Sequence, residues 1–167
     1  MDILTHALSG VLLANSIPEA TLEQKIAIVT GTVLPDIPFA RAYFLIAKMA
    51  KKSLFSLNLN DFTSHGKFVK PKLKTYLFFH SFLILPLLFI LGFLFNDFFV
   101  FLAFGWILHL VYDLFFHKYE EEELRPKPFY PSKISFNFGL TNGWRFKKSH
   151  FIIMWLIHLL LILLITL

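Results

Sequence analysis

Apolar residues run along this chain in long blocks, broken by short polar stretches. Residues 3–17 form the first block. Its length of about 15 residues suits a tilted or half-spanning helix, and Pro18 and Glu19 end it. Thr21 followed by Leu22, Glu23 and Gln24 marks a helix start, with Gln24 three residues after the cap. Residues 22–47 keep a helical pattern but are interrupted. Pro35 and Pro38 bracket Asp36, and Gly31 lies one turn earlier. A helix cannot pass straight through two prolines without losing hydrogen bonds. Inside a bilayer such a break survives only where the backbone lines a cavity or is buried in protein. Asp36 at that break is therefore a ligand or a helix cap.

Residues 75–95 predict a spanning helix whose buried ionisable side chain is His80. Asn96 and Asp97 make a tight turn, and residues 98–117 return with His109 and Asp113. Roughly 20 residues cross the hydrocarbon, so both segments qualify. Residues 149–167 are a last apolar span. Between these lie two basic segments. Residues 48–74 hold Lys48, Lys51, Lys52, Lys67, Lys70, Lys72 and Lys74 against the single acid Asp61. Within them Leu54–Phe62 suggests a short interfacial helix, and 60–64 a loop. Residues 118–148 are mixed, and Glu120–Glu123 reads as a solvated helix end or loop. The expected fold is all-α: a polytopic membrane helical bundle with about four to five membrane-embedded helices, one interrupted at Pro35–Pro38. A single integral membrane domain covers 1–167.

Composition supports the bilayer. Hydrophobic residues make up 56% of the chain and charged residues 16%, so a water-facing surface is hard to build. Asp2 and His6 argue against a signal peptide at the start. Cysteine is absent, which excludes disulfides and thiolate metal sites. Any metal site must use His, Asp or Glu. The net charge of +5 could suggest nucleic acid. The bases instead cluster beside apolar segments, where anionic lipid and topology explain them and no nucleic acid is needed. Segments 48–74 and 118–148 should then face the cytoplasm, with Asn96–Asp97 and the C-terminus outside. That describes a multi-pass protein of the inner or plasma membrane.

Ionisable groups inside apolar sequence are expensive and usually functional. Here they are Asp2, His6, Asp36, His80, His109 and Asp113. His109 and Asp113 are spaced i,i+4 and share a helix face, as do Asp2 and His6. His80, His109 and Asp113 lie at similar depth from the basic ends of their helices, so an antiparallel hairpin levels them. Metal binding explains the set, and hydrogen bonding between helices is the plainer alternative. Asp2 also suits a cap at the chain start. Ser81 either orients His80 or bonds to backbone. His65 is a further possible ligand beside Gly66. His117 suits a helix-end dipole, His150 a membrane interface, and His158 a bond to a neighbouring helix. Phe129, Tyr130, Pro131 and Trp144 read as interfacial aromatics, in a segment able to fold back over the site. Nucleophile elbows, phosphate loops and dinucleotide fingerprints are absent.

Asp2…Thr5–His6, Leu34–Pro35–Asp36, His80–Ser81, Gly105…His109…Asp113 and Phe129–Tyr130–Pro131 occur in an order that resembles the bacterial membrane-bound metal-dependent hydrolase family. The likeness runs from about residue 2 to 133. It extends more distantly to zinc-dependent phospholipase C. It implies that His6, Asp36, His80, His109 and Asp113 hold a divalent metal, with zinc the first choice. Two positions depart from the family pattern. Pro38 stands where a second acid is usual, and Thr75 and Tyr76 replace a His-Arg pair. These changes favour one metal over two and remove an arginine suited to phosphate. The implied activity is hydrolysis at the cytoplasmic membrane face, on a phosphoester or lipid headgroup. The carboxylate of Asp36 or Asp113 that is not on the metal would be the general base. Membrane lipid is the implied partner, and no oligomeric state follows. The competing reading is a non-enzymatic membrane protein whose polar groups serve helix packing or ion relay.

Overall fold

Proline and glycine set where the helices stop and how closely they meet. In a computed structural model, residues 3–57, 61, 64, 74–116, 127–132, 134 and 148–166 are described. Among them the fold is all-α. The helices are α1 (Ile3–Asn15), α2 (Leu22–Val33), α3 (Ile37–Ala50), α4 (Ile84–Leu94), α5 (Phe98–Phe116) and α6 (Lys148–Thr166). Residues 74–79 are also helical. Helix α2 begins as its sequence implies. Thr21 accepts from the Gln24 backbone N–H, and the Gln24 side chain accepts from the Thr21 N–H in return.

The break at Pro35 is real and short. Leu34–Asp36 form one 3-10 turn, and α3 follows at once with Pro38 in its first turn, where a missing N–H costs nothing. Asp36 holds the N-cap position of α3, yet its side chain makes no capping bond. Its carboxylate is left for other partners.

The single helix expected over 75–95 is corrected. Helical residues 74–79 end at a turn over 80–83, and α4 starts only at Ile84. Pro86 supplies the reason. Its ring would clash with the carbonyl of Phe82 in a continuous helix, whereas in the first turn of α4 it is tolerated. The Phe82 N–H instead donates to the Pro128 carbonyl at 2.8 Å. The interfacial helix expected at Leu54–Phe62 is also corrected. Of its described residues, Leu54–Ser56 form a 3-10 turn, Leu57 is extended and Asp61 is helical, and residues 58–60 and 62 lie outside the described residues. Asp61 and Ser64, expected in a loop, are helical. Asp61 is buried and accepts from Lys52 Nζ at 2.7 Å.

Helix α2 packs against both α1 and α5, α1 against α6, and α4 against α5. The α2–α5 contact is backbone against backbone. A Cβ on Gly31 would run into the Leu102 carbonyl oxygen, and one on Gly105 into the Ile28 carbonyl oxygen. Gln24 Nε2 also donates to Asp97 at 2.6 Å, tying the start of α2 to the turn before α5. The core beside this contact is built from Ala27, Leu88, Leu102, Ala103, Trp106 and Leu110.

Among the described residues, α5 is the one helix long and apolar enough to cross a membrane, at 19 residues. Helices α1 and α4 and the Ile152–Thr166 part of α6 are shorter apolar helices. Much apolar surface faces outward, including Leu87, Ile90 and Phe93 on α4 and Leu156, Leu160 and Leu164 on α6.

Gly105→Ala tests the close contact. Replacing a mid-helix glycine by alanine should gain about 1 kcal/mol of helix propensity. Overpacking against a backbone oxygen should cost about 1–3 kcal/mol, and a carbonyl cannot swing aside as a side chain can. Net destabilisation is expected, read as a lower unfolding midpoint in detergent.

Candidate metal centre

Two histidines are held by backbone carbonyls at helix ends. Thr32 lies in the last turn of α2, where carbonyls lack regular intrahelical donors. The Gly31–Gly105 contact brings that carbonyl to His109, whose Nδ1–H donates to it at 2.8 Å. The Tyr76 carbonyl closes the helical segment at 74–79. It accepts both the backbone N–H and the Nδ1–H of His80, each at 2.9 Å. Carbonyl oxygens can only accept, so in both rings the proton sits on Nδ1. In its neutral form each ring would then present a lone pair at Nε2.

Those two Nε2 atoms face each other at 2.9 Å. Asp36 Oδ1 lies 3.4 Å from His80 Nε2 and 3.9 Å from His109 Nε2. Asp113 Oδ2 lies 3.3 Å and 3.4 Å from the same two atoms. Two lone pairs and two carboxylates thus surround one point, and only a positive charge among them holds them together. The spacing suits a metal cation. Metal–ligand distances near 2.0–2.1 Å imply tetrahedral edges of roughly 3.3 Å; the five donor distances above, 2.9–3.9 Å, bracket that value, and all four donors lie within 4.8 Å of one another. Asp36, His80, His109 and Asp113 are all buried, and this His/Asp cluster can coordinate a metal.

His6 on α1 stands beside the four. Its Nε2 is 3.1 Å from Asp113 Oδ1 and 3.9 Å from Asp36 Oδ2. An ionised carboxylate only accepts, so Nε2 donates to Asp113. The bond steadies the Asp113 carboxylate, whose other oxygen faces the two histidines. The His6 ring stacks on His109 at a centroid distance of 3.9 Å. Its Nδ1 is buried and has no hydrogen-bond partner among the described residues.

Of the two roles open to Ser81, the backbone one is found. Its hydroxyl donates to Pro128 at 3.0 Å and lies 3.3 Å from the Tyr130 carbonyl. The segment at 127–132 is thereby docked on the His80–Ser81 turn. His158 donates from Nδ1 to the Met154 carbonyl of its own helix at 2.8 Å, not to a neighbour. Asp2, His65, His117 and Trp144 lie outside the described residues, and so does the side chain of His150. The Tyr76 ring packs against His80 at a tilt of 33°, with centroids 3.8 Å apart. The contributions of Thr32 and Tyr76 through their carbonyls have no side-chain signal in the sequence. The bond made by Trp106 likewise has no signal in the sequence. The indole Nε1–H donates to the Phe79 carbonyl at 2.9 Å, fixing the strand of chain that leads into His80.

No family model, curated protein or solved structure matches this chain.

Two measurements check the arrangement. Nitrogen-15 spectra of the protein with histidine labelled should show His80 and His109 as Nδ1-protonated tautomers. An Nε2–H neutral form in either ring would contradict the lock. Ser81→Ala should lower stability by about 0.5–1.5 kcal/mol, the worth of a lost hydrogen bond, because the Pro128 carbonyl keeps the Phe82 N–H as a donor.

Proposed function

We propose that this protein is a membrane-embedded, metal-dependent hydrolase. The observation that carries the reading is the pair of Nε2 atoms, 2.9 Å apart, facing two buried carboxylates. A divalent cation neutralises both carboxylates, whereas one shared proton neutralises only one. The Nδ1 of His6, without a partner among the described residues, also counts against a purely structural network, which would satisfy its buried members.

His80, His109 and Asp113 hold the ion, with zinc favoured by the imidazole and carboxylate donors. Three protein ligands and one open corner is the usual catalytic arrangement. Such an ion supplies Lewis acidity and lowers the pKa of water. In that arrangement Asp36, the fourth donor of the cluster, would be left free of the ion. Its side chain is 13% exposed, against 0–5% for the other three, so it is the group nearest an entry path. It takes a proton at a carboxylate oxygen as general base. His6 keeps Asp113 oriented. The substrate is a phosphoester, and a lipid headgroup fits a site at one end of an apolar bundle.

The bilayer part of the reading rests on outward-facing apolar side chains around α4 and α6 and on the apolar span α5. In it the chain is a multi-pass protein of the inner or plasma membrane, with the segments 48–74 and 118–148 in the cytoplasm. Membrane lipid is its partner. The two interhelical turns, one before Thr21 and one at Asn96–Asp97, share one end of the bundle through the Gln24–Asp97 bond. The cluster lies at the other end, on the cytoplasmic side.

Elemental analysis of purified protein should find about one divalent ion per chain. His109→Ala should lose it. Asp36→Asn should keep the ion but slow phosphoester hydrolysis by roughly 10²–10⁴-fold. Acidification should release the ion, because protons compete for the same Nε2 lone pairs. Metal-free protein over a range of pH, with stability lowered by His109→Ala, would instead favour a structural or proton-relay role.

A further inference from the structure

Helix α3 begins one residue after Asp36 and carries a face of mixed chemistry. Ile37, Arg41, Phe44 and Lys48 are all exposed. Their spacing of i, i+4, i+7 and i+11 sets them in one stripe. The opposite face is packed, with Ile46 and Ala47 buried and Phe39 and Tyr43 against Ile46.

The stripe suits neither bulk phase. In water Ile37 and Phe44 would stand 51% and 62% exposed. In hydrocarbon Arg41 and Lys48 would be costly, and neither has an ion pair among the described residues. The headgroup boundary accommodates both kinds: apolar groups dip toward acyl chains and long cationic side chains reach phosphates. Length agrees. The 14 residues of α3 span about 21 Å, short of the roughly 30 Å of hydrocarbon. A crossing α3 would also bury Arg41, whereas one lying in the plane does not. The charge is one-sided. Lys51 and Lys52 continue the basic end, no acid occurs from 37 to 57, and Asp61 offsets Lys52 alone.

We infer that α3 is an in-plane docking helix for anionic phospholipid headgroups, with Arg41 and Lys48 on the phosphates and Ile37 and Phe44 at the acyl boundary. The inference rests on the bilayer part of the proposed function and is independent of hydrolysis. It also sets bound headgroups next to Asp36, since α3 starts one residue after it.

The chain has no cysteine, so labels can be placed singly. Nitroxides attached through Phe44→Cys and, separately, Leu160→Cys are read in bilayers by relaxation with oxygen and with a polar nickel complex. The Leu160 label should lie in hydrocarbon and the Phe44 label at headgroup depth. A second measurement uses full-length protein in equimolar phosphatidylglycerol and phosphatidylcholine, with retained lipid weighed by native mass spectrometry. The wild type should prefer phosphatidylglycerol, and R41Q with K48Q should reduce that preference by roughly fivefold per charge. A Phe44 label in water or at the bilayer centre, with Leu160 in hydrocarbon, overturns the inference and leaves the bilayer reading standing. An unchanged lipid preference in the folded double variant overturns it too. A Leu160 label in water removes the bilayer reading and the inference together.

Discussion

The backbone contact between α2 and α5 is the constraint on which the rest depends. Gly31 and Gly105 allow these helices to touch main chain to main chain. That closeness is what lets the Thr32 carbonyl reach the His109 ring. It also sets the Leu34–Asp36 turn, directly after α2, against the end of α5 that carries Asp113. Larger residues at either glycine would hold the helices apart, and the carboxylates and imidazoles would not share a centre. Small residues on helix faces are commonly a packing device. Here the same device fixes a chemical site.

The cluster is unfavourable unless it holds positive charge. Burial removes the water that would solvate Asp36 and Asp113, and the imidazoles around them carry charge only when protonated. The backbone has committed the Nδ1 protons of His80 and His109 to carbonyls, so those rings offer lone pairs inward. Bonds from the outer ring nitrogen to a carbonyl or carboxylate orient ligand histidines generally. His6 works on the same network from the other side, donating to Asp113. The segment at 127–132 then closes on the His80 turn through Ser81. Each element that approaches the centre is thus held by a backbone carbonyl or a buried side-chain bond.

Much of this was visible in residue order. The cap at Thr21, the interruption at Pro35 and the turn at Asn96–Asp97 follow from local chemistry, and local chemistry produced them. The common depth of His80, His109 and Asp113 followed from helix rise and antiparallel connection, and His80 and His109 do meet. Residues 75–95 do not form one helix, because Pro86 overrides the continuous hydropathy of the segment. The signal was present, since a proline four residues after Phe82 argues for a boundary. The reading of Leu54–Phe62 as a helix had no comparable warning.

Sequence order alone carried the helix ends, the apolar spans and the kinds of donor available, because each depends on neighbours within a few residues. The pairing of particular atoms did not. Which tautomer His109 adopts depends on a carbonyl 77 positions away, and His6 reaches Asp113 across 107 positions. Asp36 offered two roles, cap or ligand, and its missing capping bond became apparent only once α1, α2 and α5 had converged around it. Such choices depend on distances between helices, which close packing at Gly31 and Gly105 sets and no local pattern encodes.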